Sequence, residues 1–140
     1  MAVVLADQLN VFIDAAQERL DDVEDQLLIL EEEFGAEYSN SGGPAANDLR
    51  VQKVANALTY MEESADRLEL EGVQRVFRPA AEVARKSLKD GGIELDLSVV
   101  QLLLKVVDVG RELVEVLEGG ERPLMADYSE VVDELLEFVE

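Results

Sequence analysis

Apolar residues recur at steps of three and four along most of this 140-residue chain, and no other feature constrains its fold as strongly. Such steps place side chains on one face of an α-helix, whereas a strand requires alternation. The longest stripe comprises Leu5, Leu9, Phe12, Ala16, Leu20, Val23, Leu27, Leu30 and Phe34. We therefore predict one amphipathic helix over about residues 5–33, with acidic residues on its solvent face.

The same periodicity predicts four more helices, over about residues 48–69, 72–89, 97–118 and 126–139. Asn47 or Asp48 is expected to cap the second helix and Asp96 the fourth. Pro79 lacks an amide hydrogen and should kink or restart the third helix. Because strand signals are nearly absent, we predict an all-α fold in a single domain spanning residues 1–140. Its expected architecture is an antiparallel four-helix bundle with a short fifth helix packed across one end.

Turn-forming residues mark the expected ends of the helices. The run at residues 38–44 predicts a surface loop after the first helix. Glycines at 91–92 and 119–120 are expected to end the third and fourth helices.

The residue types that are missing exclude several kinds of chemistry. The chain has no cysteine and no histidine, which rules out disulfides, cysteine-type zinc sites and a histidine-dependent hydrolase triad. The acidic runs at 21–25 and 31–33 lie within a continuous predicted helix and lack the glycine and spacing of a calcium loop. We therefore predict no metal site and no cofactor.

The formal net charge of -20 is unevenly distributed. Residues 1–49 carry -11, residues 50–89 carry +2 and residues 90–140 carry -11. Two strongly acidic segments would repel nucleic acid and anionic membranes, so neither is an expected partner. The N-terminal apolar residues lack the basic leading segment of a secretory signal, and no apolar run approaches the roughly 20 residues of a spanning helix. These features predict a soluble, cytoplasmic protein.

Several segments together resemble the histidine-phosphotransfer (HPt) domain of CheA-type chemotaxis kinases. The opening Val11–Leu20 segment is similar to the family's first helix, and Asp96, Leu102–Leu104 and Asp108 match its fourth helix in register. The segment Val116–Glu121 is similar to the link into the last helix. The resemblance covers most of the chain and implies a five-helix fold that acts in two-component or chemotaxis-like phosphorelay signalling.

The family's active motif is His-Thr-Leu-Lys-Gly-Ser-Ala, and this chain departs from it at the residues that carry the chemistry. Aligned on Ser64-Ala65, the resemblance places Thr59 at the phospho-accepting histidine, Glu62 near the lysine and Glu63 at the glycine. A threonine hydroxyl needs a neighbouring general base to become a nucleophile, and exposed carboxylates are poorly suited to that role. We therefore expect no catalytic residue and no phosphotransfer, although the chain is also compatible with the N-terminal domain of a larger kinase.

The interpretation that follows is a degenerate HPt domain that binds a response-regulator receiver domain or a histidine-kinase domain. Its expected contact face comprises Ala55, Thr59, Glu62, Glu63 and Asp66. In the simplest alternative, Thr59 is an ordinary helix-surface threonine. A functional alternative is a phosphoacceptor domain modified on Thr59. A third possibility is a structural dimer that associates through the first helix, although a monomer is favoured because partners within the chain suffice.

The bases of the second and third helices provide a second reason to consider this face. Eight of the twelve bases lie there, namely Arg50, Lys53, Arg67, Arg75, Arg78, Arg85, Lys86 and Lys89. A locally less negative face in an acidic protein is a plausible docking site for an acidic domain. The alternative is that these bases form ion pairs with acids on the first and fourth helices.

Overall fold

The computed structural model describes residues 6–35, 43–88, 96–119 and 128–139, all within or beside five helices. These helices are α1 (Ala6–Gly35), α2 (Gly43–Arg67), α3 (Glu71–Lys86), α4 (Leu97–Glu118) and α5 (Ser129–Val139). The described residues contain no strand, which confirms the predicted all-α fold. Residues 38–42 of the loop predicted at 38–44, together with Gly91–Gly92 and the glycine at 120, lie outside these residues. The last two residues of that predicted loop, Gly43 and Pro44, belong to α2 instead.

The helices form a four-helix bundle in which each of α1 to α4 runs antiparallel to the next. Helix α1 packs between α2 and α4, and α3 closes the ring from the other side. Arg111 of α4 pairs with Asp21 of α1, while Glu118 at the end of α4 accepts a hydrogen bond from Gln17. Because higher numbers on α4 meet lower numbers on α1, these two helices are antiparallel.

Helix α5 lies along α3 and α4, contrary to the expectation that it crosses one end of the bundle. Lys86 near the end of α3 donates to the carbonyl of Val139 near the end of α5. Arg75 near the start of α3 and Ser129 at the start of α5 line one groove, so the two helices run parallel. On its other side, α5 contacts α4, where Lys105 pairs with Glu134 at 3.3 Å. The short helix therefore extends the bundle laterally.

The predicted apolar stripes form one shared core. The α1 stripe from Phe12 to Leu30 is buried against α2 and α4, so it is not available for a coiled coil with a second chain. Phe138, near the end of α5, is 36% exposed and lies outside this core. Within the described residues, every buried side-chain nitrogen and oxygen has a hydrogen-bond partner.

Two of the expected helix signals behave differently in the structure. Helix α2 begins at Gly43, so the prediction that Asn47 or Asp48 caps it is wrong. Pro44 follows Gly43 at the start of the helix, where a missing amide hydrogen costs nothing. Helix α3 runs through the buried Pro79 as one element and does not restart there. By contrast, Asp96 caps α4 as predicted, and its Oδ1 accepts from the Val99 amide at 3.0 Å.

A tight turn after α2 sets the start of α3. The Leu70 amide donates to the Ala65 carbonyl at 2.8 Å, and the Glu69 amide donates to the Asp66 carbonyl at 3.1 Å. This pair of bonds is a Schellman motif, which places its central residue in the left-handed region. Glu69 occupies that place with a φ of 58°, where glycine is the usual residue.

Helix α4 approaches α1 and α3 closely at Gly110. A Cβ atom at this position would lie 2.7 Å from Cζ of Phe77 and 3.1 Å from Cδ2 of Leu20. Both neighbours are completely buried, so neither can move without disturbing the core. The missing side chain therefore makes room for the Phe77 ring.

None of the helices in the described part of the chain combines the length and the apolar character needed to cross a membrane.

We expect Gly110→Ala to lower the free energy of unfolding by about 1 kcal/mol, because overpacking costs about 1–3 kcal/mol and the gain in helix propensity offsets about 1. Urea denaturation followed by circular dichroism measures this change. Gly119→Ala is the matched control, since its nearest neighbour would be the Val116 carbonyl oxygen at 3.5 Å, an ordinary contact. An equal loss of stability in both variants would contradict the packing role of Gly110.

Candidate binding face on helices α2 and α3

The antiparallel contact between α2 and α3 builds the face that carries Thr59. At one end, Asp66 of α2 accepts a hydrogen bond from Gln74 of α3 at 3.0 Å. At the other end, Thr59 meets Arg85, which is 26 residues away in sequence. Polar groups of α3 thus lie along the flank of α2 that was predicted to face a partner.

The Thr59 hydroxyl is held by a cation. Its Oγ1 accepts a hydrogen bond from Nη1 of Arg85 at 2.8 Å, and the threonine itself is half-buried. A guanidinium stays protonated at any physiological pH, so it supplies hydrogen-bond donors but cannot take the hydroxyl proton. The contact orients the hydroxyl without activating it as a nucleophile.

Glu62 lies between two arginines of α3. Its Oε2 is 3.4 Å from Nε of Arg78, and its Oε1 is 3.8 Å from Nη1 of Arg85. Only 18% of the Glu62 side chain is exposed, whereas Arg78 and Arg85 are 61% and 43% exposed. Glu62 stands near the position of the lysine in the HPt motif, and two guanidinium groups offset its negative charge here.

The remaining residues of the predicted contact face divide into exposed and buried positions. Glu63 and Asp66 are exposed, and Glu63 has no ion pair with any residue that the structure describes. Ala55 has only 2% of its surface exposed and belongs to the core. Including Ala55 in an exposed contact face was therefore wrong, because this position points toward the bundle interior.

Sequence reasoning did not identify Arg78 and Arg85 as the groups that complete this face. Residues seven positions apart lie on the same side of a helix, so the sequence spacing of Arg78 and Arg85 indicates that they share one side of α3. The expectation that such bases pair with acids of the first and fourth helices does not hold for the described pairs. Arg78 and Arg85 pair with Glu62 of α2, and Lys86 pairs with Glu82 of its own helix.

The other flank of α2 forms an apolar groove against α1. The groove has a volume of about 420 Å³ and includes Val11, Phe12 and Leu68 in its lining. Val11 is 65% exposed. Tyr60 also lines it, and the guanidinium of Arg19 lies 4.4 Å from the centre of the Tyr60 ring, within cation–π distance.

Among the residues that the structure describes, no group of three or more acidic side chains is arranged to hold a metal ion. No protein-family model matches this chain, and no curated protein matches it either.

We expect Glu62→Ala to lower the free energy of unfolding by about 1 kcal/mol, because it leaves Arg78 and Arg85 without their shared partner. Glu63→Ala removes the same charge one position along the helix but breaks no described contact, so its effect should stay within about 0.5 kcal/mol. Urea denaturation in low and high salt compares the two variants. If Glu63→Ala destabilised the protein as much as Glu62→Ala, the arginine contacts would not be the cause.

Proposed function

We propose that this chain is a degenerate HPt-like domain that binds a receiver or histidine-kinase domain of a two-component or chemotaxis-like system without transferring phosphate. The proposal rests first on the resemblance of several helical segments to that family. The structural observation that carries it is the pairing of Glu62 with Arg78 and Arg85, in which two bases offset one acid of this face.

The hydrogen bonding at Thr59 supports binding over transfer. A phosphorelay needs a nucleophile that accepts the phosphoryl group and then releases it to an aspartate. The chain contains no histidine, and the Thr59 hydroxyl contacts a guanidinium rather than a base. Because an alcohol needs a base to become nucleophilic, this arrangement does not support a phosphorelay step.

The charge of the face suits an acidic partner. Receiver domains carry acidic residues around their phosphorylation pocket, and such a surface is repelled by most of a chain with a net charge of -20. The guanidinium groups of Arg78 and Arg85 supply local positive charge beside Thr59. Glu63 and Asp66 are exposed acids of this face that form no described ion pair, and Glu63 lies closer to Thr59 along the helix, so we expect Glu63 to limit the affinity.

We expect Glu63→Arg to tighten binding of the receiver domain encoded nearest to this chain by about tenfold, because it removes a like-charge contact. Isothermal titration calorimetry measures the affinity. Glu115→Arg is the matched control, since it makes the same charge change at an exposed position of α4, diagonally across the bundle, and should change affinity less than about twofold. An equal response from both variants would remove Glu63 from the contact face.

A second candidate function is phosphate acceptance by Thr59. The observation that favours it is the arginine pair, since Arg85 already donates to the hydroxyl and Arg78 lies on the other side of Glu62. A phosphate ester on Thr59 would receive charge-assisted hydrogen bonds from such groups. An external kinase would have to supply the base and the nucleotide, and the product would be a stable ester rather than a relay intermediate.

Intact-mass analysis after incubation with ATP and the kinase core encoded nearest to this chain separates the two candidates. We expect no added phosphate, because the Thr59 hydroxyl is half-buried and already bonded to Arg85, which hinders access of an external kinase to it. Thr59 is the only threonine in the chain, so a phosphothreonine could be assigned to it directly. A phosphate that is present in the natural chain and absent from Thr59→Ala would favour the acceptor function and contradict the binding-only proposal.

A further inference from the structure

A second groove lies between α3 and α5, away from Thr59 and Glu63. Its volume is about 490 Å³, and its apolar lining includes Pro79 of α3 with Val132 and Leu136 of α5. The two helices run parallel here, so the groove follows the direction of both. Cavities of this size hold small ligands or a few side chains of a partner.

The α3 rim of this groove is basic. Arg75 and Arg78 line it, and they stand one turn apart on the helix. Arg75 is exposed and forms no ion pair with any residue that the structure describes. Arg78 is 61% exposed, although one edge of its guanidinium contacts Glu62. In a chain with 32 acids and 12 bases, an apolar groove with two exposed arginines on one rim is an unusual combination.

The opposite rim carries an acid. Asp133 of α5 is exposed and lines the same groove. The groove is therefore polarised across its width, positive along α3 and negative along α5. A ligand that matches it presents apolar groups in the middle and carboxylates on the side that faces α3.

We propose that this groove docks a short acidic amphipathic helix of a partner protein. Leucine-like side chains of that helix would fill the space above Pro79, Val132 and Leu136, and its carboxylates would pair with Arg75 and Arg78. A groove between two helices receives such a helix through apolar anchors spaced at one helical turn. The groove shares Arg78 with the face around Thr59, but neither Thr59 nor Glu63 lines it, so the two proposals are tested separately, through Arg75 and through Glu63.

The electrostatics favour a short segment over a second copy of this chain or a nucleic acid. Charges interact over about 8 Å at physiological ionic strength, so a short helix in the groove interacts mainly with its two rims. A second copy would bring another net charge of -20, and a nucleic acid would bring a dense line of phosphates.

Nuclear magnetic resonance on the isotope-labelled full chain tests the proposal. The probe is a synthetic helical peptide of about 15 residues with leucines on one face and flanking glutamates. We expect the amide signals of Arg75, Val132 and Leu136 to shift on titration. A matched peptide with lysines in place of the glutamates should bind at least about fivefold more weakly, because it meets the arginines with like charge.

Two variants of the chain complete the test. Arg75→Glu should weaken binding of the acidic peptide by about fivefold or more, and because Arg75 is an exposed position with no described partner, the fold should be unaffected. Lys53→Glu makes the same charge change at an exposed site that does not line the groove, and should weaken binding less than about twofold. Shifts confined to another face, equal binding of the two peptides, equal effects of the two variants, or a dimer that buries the groove would each overturn the proposal.

Discussion

The contact between the Phe77 ring and the backbone of Gly110 is the constraint on which the packing of this bundle depends. Phe77 is the largest of the fully buried side chains, and it projects from α3 toward α4 at the level of Leu20 of α1. A ring can occupy this place only because residue 110 has no side chain. A close-packed interior has a single defined arrangement, because neighbouring side chains adjust only partly when atoms are added or removed.

Charge is organised around this core in pairs that join neighbouring helices. Arg111 contacts both Asp21 and Glu24 and ties α4 to α1, while Lys105 ties α4 to α5 through Glu134. Each such exposed pair contributes little to stability alone, because solvent screens it. The pairs matter more for where the remaining cations are found. The bases of α4 form ion pairs with α1 and α5. The arginines of α3 therefore provide the positive charge on the surface that α3 forms with α2 and α5.

The sequence predicts the fold well because helix periodicity is a local property. The stripes of α1, α2 and α4 could be recognised without knowledge of their neighbours, and Asp96 was identified as a cap from its position alone. The start of α2 was not predicted, because a Gly-Pro pair that follows serine and glycine is typical of a loop as much as of a helix start. The position of α5 was also missed, since a short amphipathic stripe does not show which neighbour buries it.

The candidate site could be predicted only in part, because its geometry depends on contacts between distant residues. Thr59, Glu63 and Asp66 are placed by the register of one helix, and the sequence alone identified their flank. Arg85 reaches Thr59 only because of how α3 is rotated about its own axis. The sequence positions of the eight bases on α2 and α3 do not predict that rotation. The burial of Ala55 could not be predicted for the same reason. Whether one flank of a helix is buried or exposed depends on which other helices pack against it.

That rotation is set by the turn at Glu69. A residue in the left-handed conformation closes α2 after Arg67 and starts α3 at Glu71, so the connection has a fixed length. Side chains on a helix are separated by about 100° per residue, so a start of α3 displaced by one residue would present a different side of α3 to α2. The present length of the connection places Phe77 beside Gly110, and Arg78 and Arg85 beside Glu62. The length of one short turn therefore couples the interior of this bundle to the chemistry of its surface, and a change in loop length is a route by which related helical bundles could acquire different partners.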